Sequence, residues 1–500
     1  MKNNKKYLLL LGLIIVLGFC LRYINIGKHI LWVDEAETVI NTIQVIEDGY
    51  PHGYFKGQPI HENISYIKIE DPVYRYASTN YYGSKYENNK GWLTYFYLAP
   101  FIKTFGFSEL SSRLPFLLFY ILTTIVIFFF TNRLLKNKKI ALVASLIFAI
   151  DILAIYYGKQ ARYYSIFMFL GVSSMYLNYL YIHSKKNIHL WLLTTSLILT
   201  FHTHITLFAF LVLFYFYYDF IRTKKIKFNK AILYNALYLL VLTVPWLILV
   251  KFWVNFTTHD VKDNREIIKV LWLLIVFLIP LSVKLTRVML GYKGKLKITN
   301  TVNDYLATFS IAYIIFVPII IPAESITSRV FAPLIPIFAI IITQLFYQAS
   351  KKLWKIHSFF IITTITLYIM LFMANGLGAD YGNANYINTI LKYTEEKNLG
   401  SDDIIVSNWN ALSLKLYSDH QVYPVRPLRP DFFNNYPNRI LAVFVYKQIY
   451  FPGSGFTRED ARELDFWLKA FNEISDRLKT CKQVDLGIAD TIVLDCPALK

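Results

Sequence analysis

Three carboxylates stand within four residues in the segment 32–37 (WVDEAE), just after the first long apolar run of the chain. Such neighbours repel one another and are costly to desolvate, so a cluster of this kind can hold one carboxylate ready to accept a proton from a substrate hydroxyl. Asp34 and Glu35 are therefore candidate catalytic residues. The alternative is the acidic first turn of a helix at a membrane surface, which the helix dipole favours.

Candidate phosphate ligands follow at two later places. Arg113 stands in the segment 109–115 (ELSSRLP), and Lys159 and Arg162 stand in the tyrosine-rich segment 156–165 (YYGKQARYYS). A guanidinium can hold a phosphate through two parallel hydrogen bonds, and a lysine supplies a point charge. For Arg113, an interfacial anchor that reaches lipid phosphates is the competing interpretation.

Asp151 lies inside an apolar run, roughly 9 Å from its end if the run is a helix that rises about 1.5 Å per residue. A carboxylate at that depth in a membrane is a functional candidate by default. It would pair with Lys159 or Arg162 or face a wet cavity, and the alternative is an ion pair that only fixes helix packing. Asp151 and Tyr163 are thus candidate substrate-binding residues.

Two further pairs of polar residues stand at turns between apolar runs. His202 and His204 flank a threonine, but two histidines make a weak metal site and the sequence has no zinc-ligand spacing. Substrate hydrogen bonding, or satisfaction of the turn itself, is the favoured interpretation. Glu324 and Arg329 either contact a ligand or pair with each other. We predict all four as substrate-binding residues and predict no metal site.

The elements that must position these side chains are membrane helices. The chain has 500 residues, of which 55% are hydrophobic, and its mean hydropathy is +0.39. The fold class predicted is a polytopic α-helical membrane protein with about eleven spans, because apolar runs of roughly 18–20 residues recur along it. The first is predicted as an uncleaved helix, since no small-x-small cleavage site follows it. The predicted spans are 7–24, 112–132, 139–157, 164–183, 188–202, 205–221, 231–251, 267–286, 304–322, 328–349 and 356–376.

Charge predicts how these spans are oriented. The formal net charge is +19, and Lys and Arg concentrate in alternate short loops between the apolar runs. Cytoplasmic loops have this composition, so the pattern favours membrane orientation over nucleic-acid binding. The N-terminus is predicted in the cytoplasm and, with an odd number of spans, the C-terminus outside. The candidate residues other than Asp151 then gather at turns on the non-cytoplasmic face of the cell membrane.

Two larger polar regions are predicted on that outer face. A transmembrane domain, 1–376, includes the loop 25–111, whose segment 92–105 is apolar enough to lie in the interface. The tail, 377–500, is predicted as a small extracytoplasmic α/β domain. Its expected strands are 403–407, 440–446 and 491–494, and its expected helix is 457–480. A disulfide between Cys481 and Cys496 is possible if the tail lies outside.

Taken in order, these motifs resemble the GT-C superfamily of membrane glycosyltransferases, and most closely the branch of protein O-mannosyltransferases and lipid A aminoarabinose transferases. The matching places are the acidic pair Asp34 and Glu35, the string 105–115 (FGFSELSSRLP), the turn 156–165 and the turn 202–204 (HTH). All four lie at predicted outer turns. Their shared order along the chain is more specific than any one of them.

The resemblance spans residues 7–376 and implies a donor made of a sugar joined to a polyprenyl phosphate. An acceptor would attack on the outer face with inversion at the anomeric carbon. Asp34 would accept the acceptor proton and Glu35 would position the acceptor or the base. The candidate phosphate ligands would neutralise the departing lipid phosphate, so no cofactor and no obligatory divalent metal is expected.

A transporter or flippase of lipid-linked saccharides is the main competing function. It would be expected to have charged or broken helices near the bilayer midplane, whereas the polar candidates here stand mainly at outer turns. The sugar, a hexose or a pentose, and the acceptor, a protein, lipid or glycan, stay open. Relatives often carry a His-Pro-Pro-like motif where this chain has 88–92 (NNKGW), so residue assignments there do not carry over.

Overall fold

The computed structural model describes the chain in several stretches. The described residues are 2–60, 90–252, 301–320, 328–344, 347, 385–424, 430–445, 477, 481–488 and 491–499, apart from 224, 227, 228, 408 and 409. Outside them lie Glu324, the predicted spans 267–286 and 356–376, the predicted domain boundary at 376/377, and the predicted helix 457–480 apart from residue 477.

Nine of the eleven predicted spans overlap described apolar helices, three of which are shorter than a bilayer crossing requires. Five described helical stretches are long and apolar enough to cross a bilayer: Lys5–Tyr23, Glu109–Leu135, Tyr164–Ser184, Ile205–Arg222, which ends in the π-helix Phe216–Arg222, and Lys230–Leu249. The prediction of a multi-pass membrane protein is confirmed. The helices are α1 Lys2–Tyr23, α2 Val33–Asp48, α3 Leu93–Phe105, α4 Glu109–Arg113, α5 Leu117–Leu135, α6 Lys138–Ile150, α7 Ile152–Gly158, α8 Tyr164–Ser184, α9 Asn187–Phe201, α10 Ile205–Tyr215, α11 Lys230–Leu249, α12 Thr301–Ile320, α13 Leu334–Gln344, α14 Asn385–Glu396, α15 Ala411–Tyr417 and α16 Pro430–Asn435.

One predicted span is broken, because α6 and α7 meet at an angle of 60° around Asp151. Oδ1 of Asp151 accepts a hydrogen bond from the backbone N–H of Ala154 at 2.7 Å, which caps the start of α7. Arg22 of α1 donates to the carbonyl oxygens of Phe148 and Ala149, at 3.4 and 2.8 Å, near the end of α6. Both helix ends at the break therefore have hydrogen-bond partners, as backbone within a membrane requires.

Helix α2 starts at the acidic segment. The backbone N–H of Trp32 donates to Oε2 of Glu35 at 3.4 Å, and the carboxylates of the first turn interact favourably with the helix dipole. Gly49 ends the helix in the left-handed conformation, with φ 83°, which costs glycine little. One face of α2 is buried and includes Ala36 and Ile40. The predicted acidic start of a helix is thus present, and the buried apolar face of α2 holds that helix in place.

The described part of the tail contains five strands, β3 Ile404–Ser407, β4 Gln421–Pro424, β5 Ile440–Val445, β6 Lys482–Val484 and β7 Thr491–Cys496. They form a mixed sheet in the order β4-β3-β5-β7-β6. Strand β3 is parallel to β4 and β5, whereas β7 is antiparallel to β5 and β6. The three predicted strands are confirmed as β3, β5 and β7. Cys481 and Cys496 form a disulfide that joins the start of β6 to the end of β7. The described strands earlier in the chain are β1 Tyr54–Phe55 and β2 Gln58–Pro59.

Candidate active site

Asp34, the second residue of α2, meets side chains from distant parts of the chain. Nη1 of Arg329 donates to its Oδ2 at 2.6 Å, and the hydroxyl of Tyr164 donates to the same oxygen at 3.3 Å. Nη2 of Arg162 lies 3.8 Å from Oδ1. The start of α2, the start of α8 and the segment before α13 therefore converge at this carboxylate.

Glu35 is fully buried in an ion pair with Arg113. Nε and Nη2 of Arg113 donate to its Oε1 and Oε2 at 2.8 and 2.6 Å. The other guanidinium N–H groups donate to the carbonyl oxygens of Ile26, His29 and Ile30. These bonds occupy the five donors of an arginine side chain, so this arrangement leaves none for a phosphate. We therefore assign Arg113 to holding Glu35, which replaces its predicted role as a phosphate ligand.

Glu35 also ties α2 to the turn that carries the other candidate cations. Its Oε1 accepts a hydrogen bond from the backbone N–H of Ala161 at 2.8 Å. Because Glu35 has no exposed surface, it does not meet an acceptor directly. Its geometry supports a role in positioning the neighbouring Asp34.

Glu37, a further member of the acidic segment, was missed among the candidate site residues. Nζ of Lys90 lies 2.5 and 2.6 Å from its two oxygens, and Nη2 of Arg162 lies 2.9 Å from Oε2. Burial by itself would raise the pKa of Glu37, but Lys90 and Arg162 outweigh it and hold that pKa well below its usual range. Nη1 of Arg162 donates to the carbonyl oxygen of Asp34 and to Thr38 Oγ1, at 2.7 and 2.9 Å. The signal available in the sequence was the i,i+3 spacing of Asp34 and Glu37, which places both on one side of a helix.

Lys159, like Arg162, lies between α7 and α8, but it bonds to a residue outside the acidic segment. Its Nζ donates to the carbonyl oxygen of Ile24 at 2.8 Å. Burial, followed by the charges of Arg22 and Arg113, lowers the pKa of Lys159 to about 8. Its role as a phosphate ligand stays a prediction.

The two predicted histidines face different neighbours. Nε2 of His202 donates to the carbonyl oxygen of Leu242 in α11 at 2.9 Å. The ring of His204 packs against Tyr163 and Phe167, with centroids 5.1 and 4.7 Å apart. His204 and Tyr163 therefore lie together near the site, whereas His202 is bonded to a neighbouring helix.

A close backbone crossing holds Lys90 beside the site. The backbone N–H of Leu93 donates to the carbonyl oxygen of His202 at 2.8 Å. A Cβ atom placed on Gly91 would lie 2.2 Å from that carbonyl group, so only glycine allows the two segments to approach this closely. Lys90 thereby reaches Glu37 from a different turn.

Asp34 is the accessible carboxylate of the acidic segment. Its side chain is 18% exposed, against 0% for Glu35 and 2% for Glu37. Arg329, its ion-pair partner, is 36% exposed. A carboxylate that opens toward a substrate beside arginines can accept a proton while the arginines stabilise a developing negative charge. Within the described stretches, no three His, Cys, Asp or Glu side chains converge as metal ligands.

We expect the stability of the protein to fall as the pH is lowered from 7 to 5, in part through His204. Burial first, and then the charges of Lys90 and Arg162, lowers the pKa of His204 to about 4. An unfolded chain binds this proton near pH 6.5, so acid stabilises the unfolded state before the folded one. His204→Asn, which retains a residue suited to start α10, should show a smaller difference in melting temperature between pH 7 and pH 5.

Intrinsic fluorescence of the detergent-solubilised protein measures these melting temperatures. His189→Asn is the matched control, because His189 lies far along the chain from the site, at the other end of α9. An unchanged pH dependence in His204→Asn would contradict the prediction.

Residues 89–249 match the family described as dolichyl-phosphate-mannose-protein mannosyltransferase. The structure is similar to ArnT from Cupriavidus metallidurans in the apo state, with TM-score 0.60 and 11% identity over 99% of this chain and 98% of that one. It is also similar to ArnT from the same organism bound to undecaprenyl phosphate, with TM-score 0.58 and 12% identity over 97% of each chain. No curated protein sequence matches the chain. At these identities the structural likeness shows a shared fold.

Proposed function

Because the chain has the GT-C fold of the branch that includes ArnT and the protein O-mannosyltransferases, we propose that it is an inverting glycosyltransferase. It would move a hexosyl or pentosyl group from a polyprenyl-phosphate donor to a hydroxyl or phosphate of a protein, lipid or glycan. The observation that carries the proposal is the accessible carboxylate of Asp34, which lies between Arg329, Arg162 and Tyr164.

Asp34 accepts the proton of the acceptor hydroxyl while the oxygen of that hydroxyl attacks the anomeric carbon. The new bond joins the acceptor oxygen to that carbon, and the bond between the carbon and the phosphate oxygen breaks. Both electrons of the broken bond leave with the polyprenyl phosphate. Attack opposite the leaving group inverts the configuration of the sugar.

Arg329 stabilises the charge of the departing phosphate. Its guanidinium is partly exposed and already holds Asp34, so a bound donor phosphate can take over some of its N–H groups. That exchange would free Oδ2 of Asp34 to face the acceptor hydroxyl when the donor is in place. Lys90 and Arg162, which face Glu37, add positive charge nearby.

A lipid-linked donor is supported by the structural relatives. ArnT, which shares the fold along nearly the whole chain, has been seen with undecaprenyl phosphate. A lipid donor also suits an active site whose residues stand at the ends of membrane helices.

We expect transfer to continue in the presence of a metal chelator. The three carboxylates of the acidic segment already have cationic side-chain partners, and arginine and lysine can neutralise a phosphate without a metal. The initial rate with excess EDTA should therefore equal that of the untreated enzyme. Loss of activity with EDTA and its recovery with added Mg²⁺ or Mn²⁺ would contradict this expectation.

We place the active site and the tail on the non-cytoplasmic face. The charge distribution in the loops supports this orientation, as does the disulfide between Cys481 and Cys496, since disulfides persist in oxidising compartments. Alkaline phosphatase, which needs its own disulfides, should be active when fused to the C-terminus of the full chain. The same fusion placed after Lys185, in a predicted inner loop, should be inactive, and the reverse pattern would refute the orientation.

The transferase proposal is tested with purified full-length protein, labelled polyprenyl-phosphate sugars and candidate acceptors. Formation of a labelled acceptor with the inverted anomer is the expected result. Absence of transfer with every donor, together with movement of lipid-linked sugar across protein-containing vesicles, would favour the flippase instead.

A further inference from the structure

We infer that the C-terminal tail positions the catalytic end of α2, and that the hydroxyl of Tyr417 is the residue-level link. This inference rests on the proposed function, since it concerns the same site. Tyr417 touches neither Asp34 nor a substrate position, so it is a positioning residue.

Tyr417 ends helix α15 and bonds to two separate segments of the first outer loop. Its hydroxyl accepts a hydrogen bond from the backbone N–H of Leu31 at 3.1 Å and donates to Oε1 of Glu109 at 2.9 Å. Burial raises the pKa of Tyr417, so the hydroxyl keeps the proton that it donates.

Those two segments carry the two halves of the buried ion pair. Leu31 lies two residues before the start of α2, which contains Glu35. Glu109 begins α4, whose last residue is Arg113. The Tyr417 hydroxyl therefore connects the start of α2 to α4, the two elements whose Glu35 and Arg113 form the ion pair. Glu35 is the residue next to Asp34 in the chain.

The tail also packs its apolar side chains on α2. Leu412 and Leu416, which are buried on α15, belong to one cluster with residues of α2: Ala36, Val39 and Ile40. In the opposite direction, Ile30 enters the core of the tail beside Leu414. The interface is thus shared by both cores, which limits how far α2 can shift without the tail.

The hairpin of β1 and β2 adds hydrogen bonds to the same interface. Nζ of Lys56 donates to the carbonyl oxygen of Ser418 at 2.7 Å. The backbone N–H of Val422 donates to Oε1 of Gln58 at 3.1 Å. Hydrogen bonds therefore join the tail to the loop both before α2, at Leu31, and after α2, at Lys56 and Gln58.

The variant Tyr417→Phe, made in the full chain, removes the hydroxyl and retains the ring. We expect kcat for sugar transfer to fall about tenfold with little change in the KM for the donor, because small displacements of a catalytic group cost rate. Hydrogen–deuterium exchange in peptides that cover residues 26–40 should become faster. Because the ring stays in place, both changes in a protein that stays monodisperse would report the loss of the hydroxyl bonds.

Two sets of controls separate this link from general destabilisation. Glu109→Gln retains an oxygen that can accept from Tyr417 and should keep near-native kcat, whereas Glu109→Ala should lower kcat by less than Tyr417→Phe, because the bond from Leu31 remains. Tyr436→Phe removes another hydroxyl of the tail, which donates to the carbonyl oxygen of Asp402 and contacts no loop residue in the described structure. It should leave both kcat and exchange at 26–40 unchanged.

The outcomes distinguish this inference from the proposed function. If native protein transfers sugar and Tyr417→Phe changes neither kcat nor exchange at 26–40, the positioning inference is overturned. If exchange at 26–40 rises in Tyr417→Phe but native protein transfers no sugar from any donor, the link to α2 is supported and the proposed transferase fails.

Discussion

Asp34→Asn should lower the rate of sugar transfer by about 10²–10⁴-fold, the usual contribution of a general base. The substitution retains the size and one acceptor oxygen of the side chain but removes the group that can take up a proton. Arg329 and Tyr164 can still donate to that oxygen, so the shape of the site is expected to persist. The measurement is the initial rate with labelled donor under saturating acceptor.

Asp48→Asn is the matched control for this experiment. It makes the same change at the other end of α2, where Asp48 pairs with His52 and is half exposed. Its transfer rate should equal that of native protein. A rate for Asp34→Asn close to the native rate would remove Asp34 from the chemistry, and a matching loss in Asp48→Asn would point to damage of the helix.

Arg113→Ala should destabilise the protein by about 3–5 kcal/mol, because it leaves the buried carboxylate of Glu35 without its partner. The three carbonyl oxygens of the 26–30 segment also lose their donors. We expect a large fall in melting temperature and in the amount of monodisperse protein recovered. Fluorescence-detected size-exclusion chromatography after a heating series measures both.

Arg133→Ala supplies the comparison, since Arg133 is an exposed arginine near the end of α5. Its melting temperature should stay near that of native protein. Arg113→Lys should fall between native protein and Arg113→Ala, because an ammonium cannot form the bidentate pair or reach all the carbonyl oxygens. A native-like melting temperature for Arg113→Ala would show that the pair is dispensable and would reopen a phosphate-binding role for Arg113.

Local sequence patterns predicted the elements of this fold well. Predicted apolar runs correspond to the described apolar helices, and the predicted strands of the tail correspond to β3, β5 and β7, whereas β4 and β6 were not predicted and α2 was predicted only as an alternative interpretation. The predicted resemblance to the GT-C superfamily agrees with the family match over residues 89–249 and with the fold shared with ArnT. Each of these patterns depends on neighbours in the sequence, which is why a single chain sufficed to find them.

Contacts between distant segments decided what the candidate residues do. Arg113 stands at the start of one predicted span and Asp151 inside another, and both were predicted to meet a substrate. In the fold, Arg113 is fully used by Glu35 and three carbonyl oxygens, and Asp151 caps α7. Spacing along the chain could not assign these partners, because each depends on how helices pack against one another.

The sequence by itself determined that this is a membrane protein with an acidic helix start and cations at the turns between its helices. Only the tertiary structure decided that Asp34 is the accessible carboxylate, that Glu35 and Glu37 are neutralised in buried ion pairs, and that the tail packs on α2. Periodicity and composition reflect the local preference of the chain for lipid or water. Pairing and accessibility arise from contacts across many residues, which only the packed helices and the docked tail create.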